Sequence, residues 1–335
     1  MSNKRIIRID EKLSKPKYRQ IIDSLLLAIE KHSLKKGDKI PSINAICAEF
    51  NLSRDTVMVA FNELKSKGVI LSQPGKGYYI ASTDIQNEEK IFVLFDEMNA
   101  FKEDLYNSLV NALKGKASVD VYFHHFNYRV FKSLIAESIG NYTSYIIMPA
   151  TFDNIGHLLA KLPPEKVYIL DRFKRELKNY AAVYQNFELD FYDALQEGST
   201  LIKKYRKLVF VHPGGKEPAE RVIGFERYCR ENDLQYEVIK TLNGVNPSMY
   251  EVYFTTSDRD LVEMIKLAKK YKYKLGKRFG IVSFNDTMLK EVVAGGITTI
   301  STDFGEMGRT LAQMVLSKKG GQVRNPSKLI KRSSL

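Results

Sequence analysis

The chain has no tryptophan and only two cysteines, Cys47 and Cys229, in 335 residues. Two distant cysteines in apolar or helical surroundings do not form the staple of a small secreted scaffold, and they are expected to be reduced packing residues. No apolar run approaches the ~18 residues that a spanning helix needs, and the opening MSNKRIIRIDEKLSKPK lacks the apolar core of a signal peptide. Secretion and membrane spanning are therefore not expected, and a cytoplasmic location is. Cofactor loops are missing as well. HPGGKEPAE (212–220) holds neither GxxxxGK(S/T) nor GxGxxG. His124 and His125 are adjacent on an expected strand, point to opposite faces and cannot share a metal. No nucleophile–base pair stands out, so no catalytic residue, metal or cofactor is assigned and no catalysis is expected. Internal repeats and low-complexity tracts are also absent.

What the chain does have is positive charge, unevenly spread. Residues 1–80 carry 15 Lys and Arg against 8 Asp and Glu, a net of +7 out of +13 for the whole chain. A quarter of the length thus holds more than half of the excess. That asymmetry fits a nucleic-acid-binding module joined to a more neutral domain. The basic residues do not line one amphipathic stripe, which argues against a membrane-surface patch.

Periodicity divides the chain in the same place. Ile21, Ile22, Leu25, Leu26 and Ile29 fall on one helical face; Ile43, Ile46, Cys47 and Phe50 form a second, and Val57, Ala60, Phe61 and Leu64 a third. Ser42 and Ser53 stand where N-caps belong, and Gly68 is a stop signal. Two β-leaning runs, VILS and GYYI, then flank Gly75-Lys76-Gly77. Three short helices and a hairpin in about 65 residues predict a winged helix-turn-helix. Residues 82–89, STDIQNEE, read as a linker. From residue 90, nine short apolar runs alternate with helical patterns: 91–96, 119–124, 145–150, 167–171, 181–186, 207–212, 235–240, 251–256 and 279–284. This is α/β with mostly parallel sheets, in two lobes. Ligands of open parallel sheets sit outside the carboxyl ends of strands, which singles out Asp96, Asp171, His212, Ser257 and Asn285-Asp286.

Residues 16–80 resemble the winged helix of GntR-family transcription regulators through GDKIPS, NLSRDTV, FNEL, KG and PGKGYYI, in that order. Residues 90–335 resemble the effector domain of LacI-family repressors, the two-lobed periplasmic-binding-protein-like fold. The residues that carry this are YILDR, AERVIGF, TTSD, IVSFNDT, ITTISTDFGEMGRTLAQMVL and KLIKRSSL. The layout is similar to that of an arabinose repressor of Gram-positive bacteria. There are departures. Asn44 and Met58 stand where GntR winged helices often carry Arg, the stretch 241–250 is too short for the usual helix, and Asn285-Asp286 replaces a pair of aspartates.

The resemblance implies three segments: a DNA-binding domain at 1–81, a linker at 82–89, and a sugar-binding and dimerisation domain at 90–335. It implies a homodimer on double-stranded operator DNA, released by a small-molecule effector expected to be a monosaccharide. A transcriptional activator, or a non-sugar effector, is the alternative. Arg54, at the start of the third helix, would read guanine; Ser42, Ser53 and Thr56 would meet phosphates. Gly75, Lys76 and Gly77 would form the wing tip, with Lys76 toward a phosphate or the minor groove. Bland readings exist for each: a solvated Arg, ordinary caps, a plain turn. Arg221, Asp171, Ser257 and Asn285 would hold the effector. Against that, Arg221 could pair with Glu217 or Glu220 on its own helix, and Asp171 could cap a turn. With no Trp, Tyr250 or Phe126 would supply any stacking ring. An enzyme fused to a DNA head would need a longer chain and a pyridoxal-binding lysine motif. A transport binding protein would need an export signal and no winged helix.

Overall fold

The computed structural model describes residues 6–11, 13, 15–83 and 89–335. Residues 84–88 of the expected linker lie outside them. The N-terminal module contains α1 (Lys17–Glu30), α2 (Ile43–Phe50), α3 (Arg54–Ser66), β1 (Ile70–Gln73) and β2 (Gly77–Ile80). Each expected apolar face is buried in one core. Ile21, Ile22, Leu25 and Ile29 of α1 meet Ile43 and Ile46 of α2, and Val57, Ala60, Phe61 and Leu64 of α3, with Leu26, Cys47 and Phe50 half-buried at the rim. Burying such side chains stabilises by about 1.5–3 kcal/mol each. Ser42 and Ser53 cap α2 and α3, accepting from the backbone N–H of Ala45 and Thr56 at 3.2 Å each.

The chain continues with β3 (Glu89–Phe95), α4 (Ala100–Leu113), β4 (Ala117–Phe123), α5 (Tyr128–Ser138), β5 (Ser144–Ile147), α6 (Gly156–Leu159), β6 (Val167–Arg172), β7 (Ala181–Gln185), α7 (Phe187–Glu197) and α8 (Ser199–Ile202). Then come β8 (Lys207–Val211), α9 (Glu220–Glu231), β9 (Gln235–Ile239), β10 (Glu251–Thr255), α10 (Asp258–Lys270), β11 (Phe279–Phe284), α11 (Met288–Val292), β12 (Thr298–Thr302), α12 (Phe304–Ser317), β13 (Gln322–Arg324) and β14 (Ser327–Ile330). The architecture is a winged helix-turn-helix followed by two parallel-sheet α/β lobes.

The described residues divide into two compact units. The first holds the winged helix together with β3, β4 and β5, where β3 pairs in parallel with β4 and β5. The second comprises Asp96–Ala112, Met148–Ile155 and Tyr168–Leu335. In it β6, β7 and β13 run parallel. A six-stranded sheet, ordered β14-β12-β11-β10-β8-β9, is parallel except for β14. No helix of the described residues is long and apolar enough to cross a membrane.

Phenylalanine does the work of the missing tryptophan in the second unit. Phe191 of α7 lies 4.8–5.4 Å, centroid to centroid, from Phe284, Phe210, Phe225 and Phe254. This cluster clamps α7 and α9 onto β8, β10 and β11. Gly224 allows the clamp to close: a Cβ there would fall 2.1 Å from the Glu188 carbonyl oxygen. The clamp fixes Arg221, one turn before Phe225, and Asn285, the residue after Phe284.

Candidate functional site

Two sets of polar groups need explaining. The first is on the winged helix. Arg54 is the first residue of α3 and is exposed, and its Nη1 donates to Asn44 Oδ1 at 2.7 Å. The guanidinium is thus tethered across the helix-turn-helix, with the rest of its donor fork free. Ser53 Oγ and Thr56 Oγ1 are 2.8 Å apart beside the start of α3. The hairpin tip is a tight turn in which Lys76 N donates to Gln73 O at 3.0 Å. Pro74 precedes Gly75, whose φ is +71°, the pairing a type II turn requires. Lys76 follows the turn and is exposed.

Sequence reasoning missed Lys39. It makes an isolated antiparallel bridge to Tyr79 beside the two-stranded wing, and its Nζ stands 5.9 Å from the Tyr79 ring centroid. A Cβ at Gly77 (φ +110°) would lie 3.3 Å from Lys39 Cε, so this glycine gives the lysine stem room. The only sequence signal was a basic residue inside GDKIPS.

The second set lies at strand ends of the second unit. Asp171, at the end of β6, has left-handed backbone (φ +73°) and is partly exposed. Its Oδ1 accepts from Gln185 Nε2 at 2.5 Å. Burial pushes the Asp171 carboxyl up from its ordinary value and Asp96 adds to this, while Lys102, Gln185 and Arg221 pull it down. Asp96 is itself buried and accepts from Glu97 N and from the buried Lys102 ammonium.

Arg221 is 6% exposed. Its guanidinium carbon sits 4.3 Å from the Phe284 centroid and 5.2 Å from that of Phe187, and its Nη1 donates to Glu217 Oε2 at 2.9 Å. Burial draws its pKa down, opposed by Glu217 and Asp171. Next to it, Arg172 Nη2 reaches both carboxylate oxygens of Glu220, at 2.8 and 2.9 Å. Asp171 and Arg221 thus lie within electrostatic reach of each other, and Arg221 also forms the ion pair with Glu217.

Asn285 shares the left-handed conformation (φ +61°). Its side-chain amide makes no hydrogen bond among the described residues, while its carbonyl is held by Lys290 Nζ at 2.8 Å. Lys290 also grips Phe284 O at 2.7 Å and pairs with Asp258. Asp286 turns away from solvent into a two-pronged contact with Arg332 (2.7 and 2.8 Å) and accepts from Thr299 Oγ1 at 2.9 Å. Ser257 is engaged as the N-cap of α10: it accepts from Asp260 N at 3.1 Å and its hydroxyl lies 2.6 Å from Asp260 Oδ2.

The expected stacking rings have other neighbours. Tyr250 precedes β10, at the amino end of that sheet, with Arg206 over its ring at 5.2 Å. Phe126 lies in the first unit, edge-on to His124. The aromatic faces beside Arg221 are Phe187 and Phe284.

Residues 17–80 match the family of bacterial regulatory proteins described as gntR, and residues 201–335 match a periplasmic binding protein-like domain. The transcriptional repressor YtrA of Bacillus subtilis is 31% identical over 107 residues, which cover 32% of this chain and 78% of the relative. The mannosyl-D-glycerate system repressor MngR of Escherichia coli is 35% identical over 83 residues, 25% of this chain and 35% of the relative. The chain likewise spans 36% of the B. subtilis regulator YydK. Among solved structures, the trehalose repressor of E. coli superposes with a TM-score of 0.62 at 12% identity, covering 73% of this chain and all of that one. A LacI-family regulator from Arthrobacter, solved with lactose, gives 0.61 at 11% identity, covering 74% of this chain and 99% of that one. At such identities the likeness is one of fold.

Proposed function

We propose a function that starts from one fact: the chain belongs to the gntR family of bacterial regulatory proteins, and it carries a periplasmic-binding-protein-like domain behind its DNA-binding module. It is a DNA-binding transcriptional regulator. In our reading it is a repressor that leaves its operator when a monosaccharide occupies the polar cluster of the second unit. The division at 1–81, 82–89 and 90–335 is part of this reading, with the first segment on DNA and the last holding the effector.

Arg54 reads a guanine edge, Ser42, Ser53 and Thr56 meet phosphates, and the wing brings Lys76 and Lys39 to the backbone beside them. Arg221 offers its remaining donors, Asp171 accepts sugar hydroxyls, and Asn285 both donates and accepts. Ser257, already committed to its cap, contributes at most a rim contact. The observation that carries the reading is that Arg221 of α9 and Asp171 at the end of β6 influence each other's charge, and that Arg221 lies over Phe284, next to Asn285, whose amide has no partner among the described residues. Asp171 and Asn285 both stand at the carboxyl ends of parallel strands, where ligands of such sheets bind.

The regulator acts as a homodimer, so that two winged helices face a two-fold operator. Met288, Leu289 and Val292 of α11 are 88, 63 and 72% exposed, an apolar face suited to a second copy. Effector binding lowers operator affinity by its differential affinity for the two states. The relatives matched are regulators of transcription, and no catalytic step is assigned. The test is a gel shift on the protein's own promoter region across a panel of monosaccharides. One sugar should release the DNA, and tighter DNA binding with every active sugar would instead identify a co-repressor or an activator.

A further inference from the structure

We infer that the effector carries no acidic group: it is a neutral or amine-bearing sugar, neither phosphorylated nor a uronate. This rests on the sugar-binding reading above and concerns the charge the site accepts. An anion is recognised by cations with charge to spare or by an unoccupied helix N-terminus. The cations around Asp171 and Arg221 each have a carboxylate already. Lys102 holds Asp96, Arg172 holds Glu220, and Arg221 holds Glu217. Lys216, on the loop before α9, reaches Glu97 at 2.6 Å. What remains is Asp171, whose protein hydrogen bond comes from the neutral amide of Gln185.

The helix ends offer nothing more. α7 carries Glu188 and Asp190 in its first turn, α9 carries Glu220, α10 carries Asp258 and Asp260, and α12 carries Glu306 after its Asp303 cap. Their dipoles are already answered by side-chain carboxylates. The cluster therefore presents one surplus negative charge. A phosphate or carboxylate on the ligand would have to share Arg221 with Glu217 and would bring a further negative charge toward Asp171. A hydroxyl or an ammonium meets no such conflict, because Asp171 accepts from either.

The experiment is calorimetry on the full chain with matched sets built on several parent sugars: glucose, glucosamine, glucose 6-phosphate and glucuronate, then the galactose and mannose series. In any set that binds, the neutral or amino member should be at least tenfold tighter than the phosphate and the uronate. In that same set, Glu217→Gln should narrow the gap, because it frees Arg221 for an anion. An acidic member that binds tightest overturns the inference and leaves the sugar reading standing. No binding anywhere in the panel overturns both.

Discussion

Arg221 is both a proposed ligand contact and a buried structural ion, and the two roles can be separated. Its side chain is 7% exposed and that of Glu217 is 16%. Replacing Arg221 by Met keeps much of the apolar stem against Phe187 and Phe284 but removes the charge. Glu217 is then a nearly buried carboxylate without its partner, and Asp171 loses a neighbouring cation. Breaking a buried pair from one side costs about 3–5 kcal/mol. Glu217 keeps some solvent, so the lower figure applies, with part of a cation–π contact of about 1 kcal/mol lost as well. For a domain of this size each kcal/mol moves Tm by about 2–4 °C. Arg221→Met should therefore cost about 3.5 kcal/mol and lower the effector domain's Tm by roughly 7–14 °C.

Arg221→Met combined with Glu217→Gln leaves no stranded carboxylate and should regain most of that loss. It should not regain ligand. Both variants should bind the effector at least tenfold more weakly, a loss of about 1.4 kcal/mol or more, while each still shifts operator DNA in a gel. Thermal unfolding and calorimetry on the two variants decide the matter. A single variant as stable as the parent would refute the buried-pair argument. A double variant that regains both stability and sugar affinity would move the binding site elsewhere.

Three further expectations can be checked. Arg54→Ala should cost about 1–3 kcal/mol at one base position and relax specificity there, whereas Lys76→Ala should weaken all sequences evenly and reduce the salt slope by about 1; binding assays on a mismatch series at several salt concentrations separate the two. Gly224→Ala places a methyl 2.1 Å from the Glu188 carbonyl oxygen, so it should cost about 3 kcal/mol, the upper end for overpacking, in urea unfolding. Burial works against ionising Asp286, but the Arg332 fork and the Thr299 hydroxyl outweigh it and hold the carboxyl below its ordinary value. Its stabilisation is therefore present above the unfolded-state pKa of about 3.9 and lost as pH falls through the folded value, so the stability gap between the parent and Asp286→Asn should be full at pH 6 and shrink steadily below pH 4.

The winged helix was legible because its signals are local. Ser42 and Ser53 cap within three residues, and the apolar faces repeat at helical spacing. The parallel strands were legible as apolar runs, and the strand-end rule picked out Asp171 and Asn285. The partners of those residues were not. Gln185 reaches Asp171 because β6 and β7 align Asp171 with Tyr184 and Arg172 with Gln185, a register set by packing between residues 14 positions apart. Lys102 faces Asp96 only once α4 has folded back toward the end of β3. The choice of Tyr250 as a stacking ring ignored the same rule that found the other residues, since a residue just before a parallel strand sits at the wrong end of the sheet. Ser257 illustrates a different gap: the sequence identified its position, but not that a helix cap had already taken its hydroxyl.

The left-handed backbone at Asp171 and Asn285 also bears on how such a regulator can change its ligand over generations. At φ +73° and +61° glycine, asparagine and aspartate sit with the least strain. At either position selection therefore favours a carboxylate, an amide or nothing. Aspartate and asparagine differ in one terminal group and are a single base change apart in the genetic code. Exchanging them alters the charge offered to a ligand while leaving the strand end as it was. A lineage could thus move between cationic, neutral and acidic effectors in single steps, without passing through a misfolded ancestor. Shape preferences, set by the phenylalanine clamp, would change far more slowly.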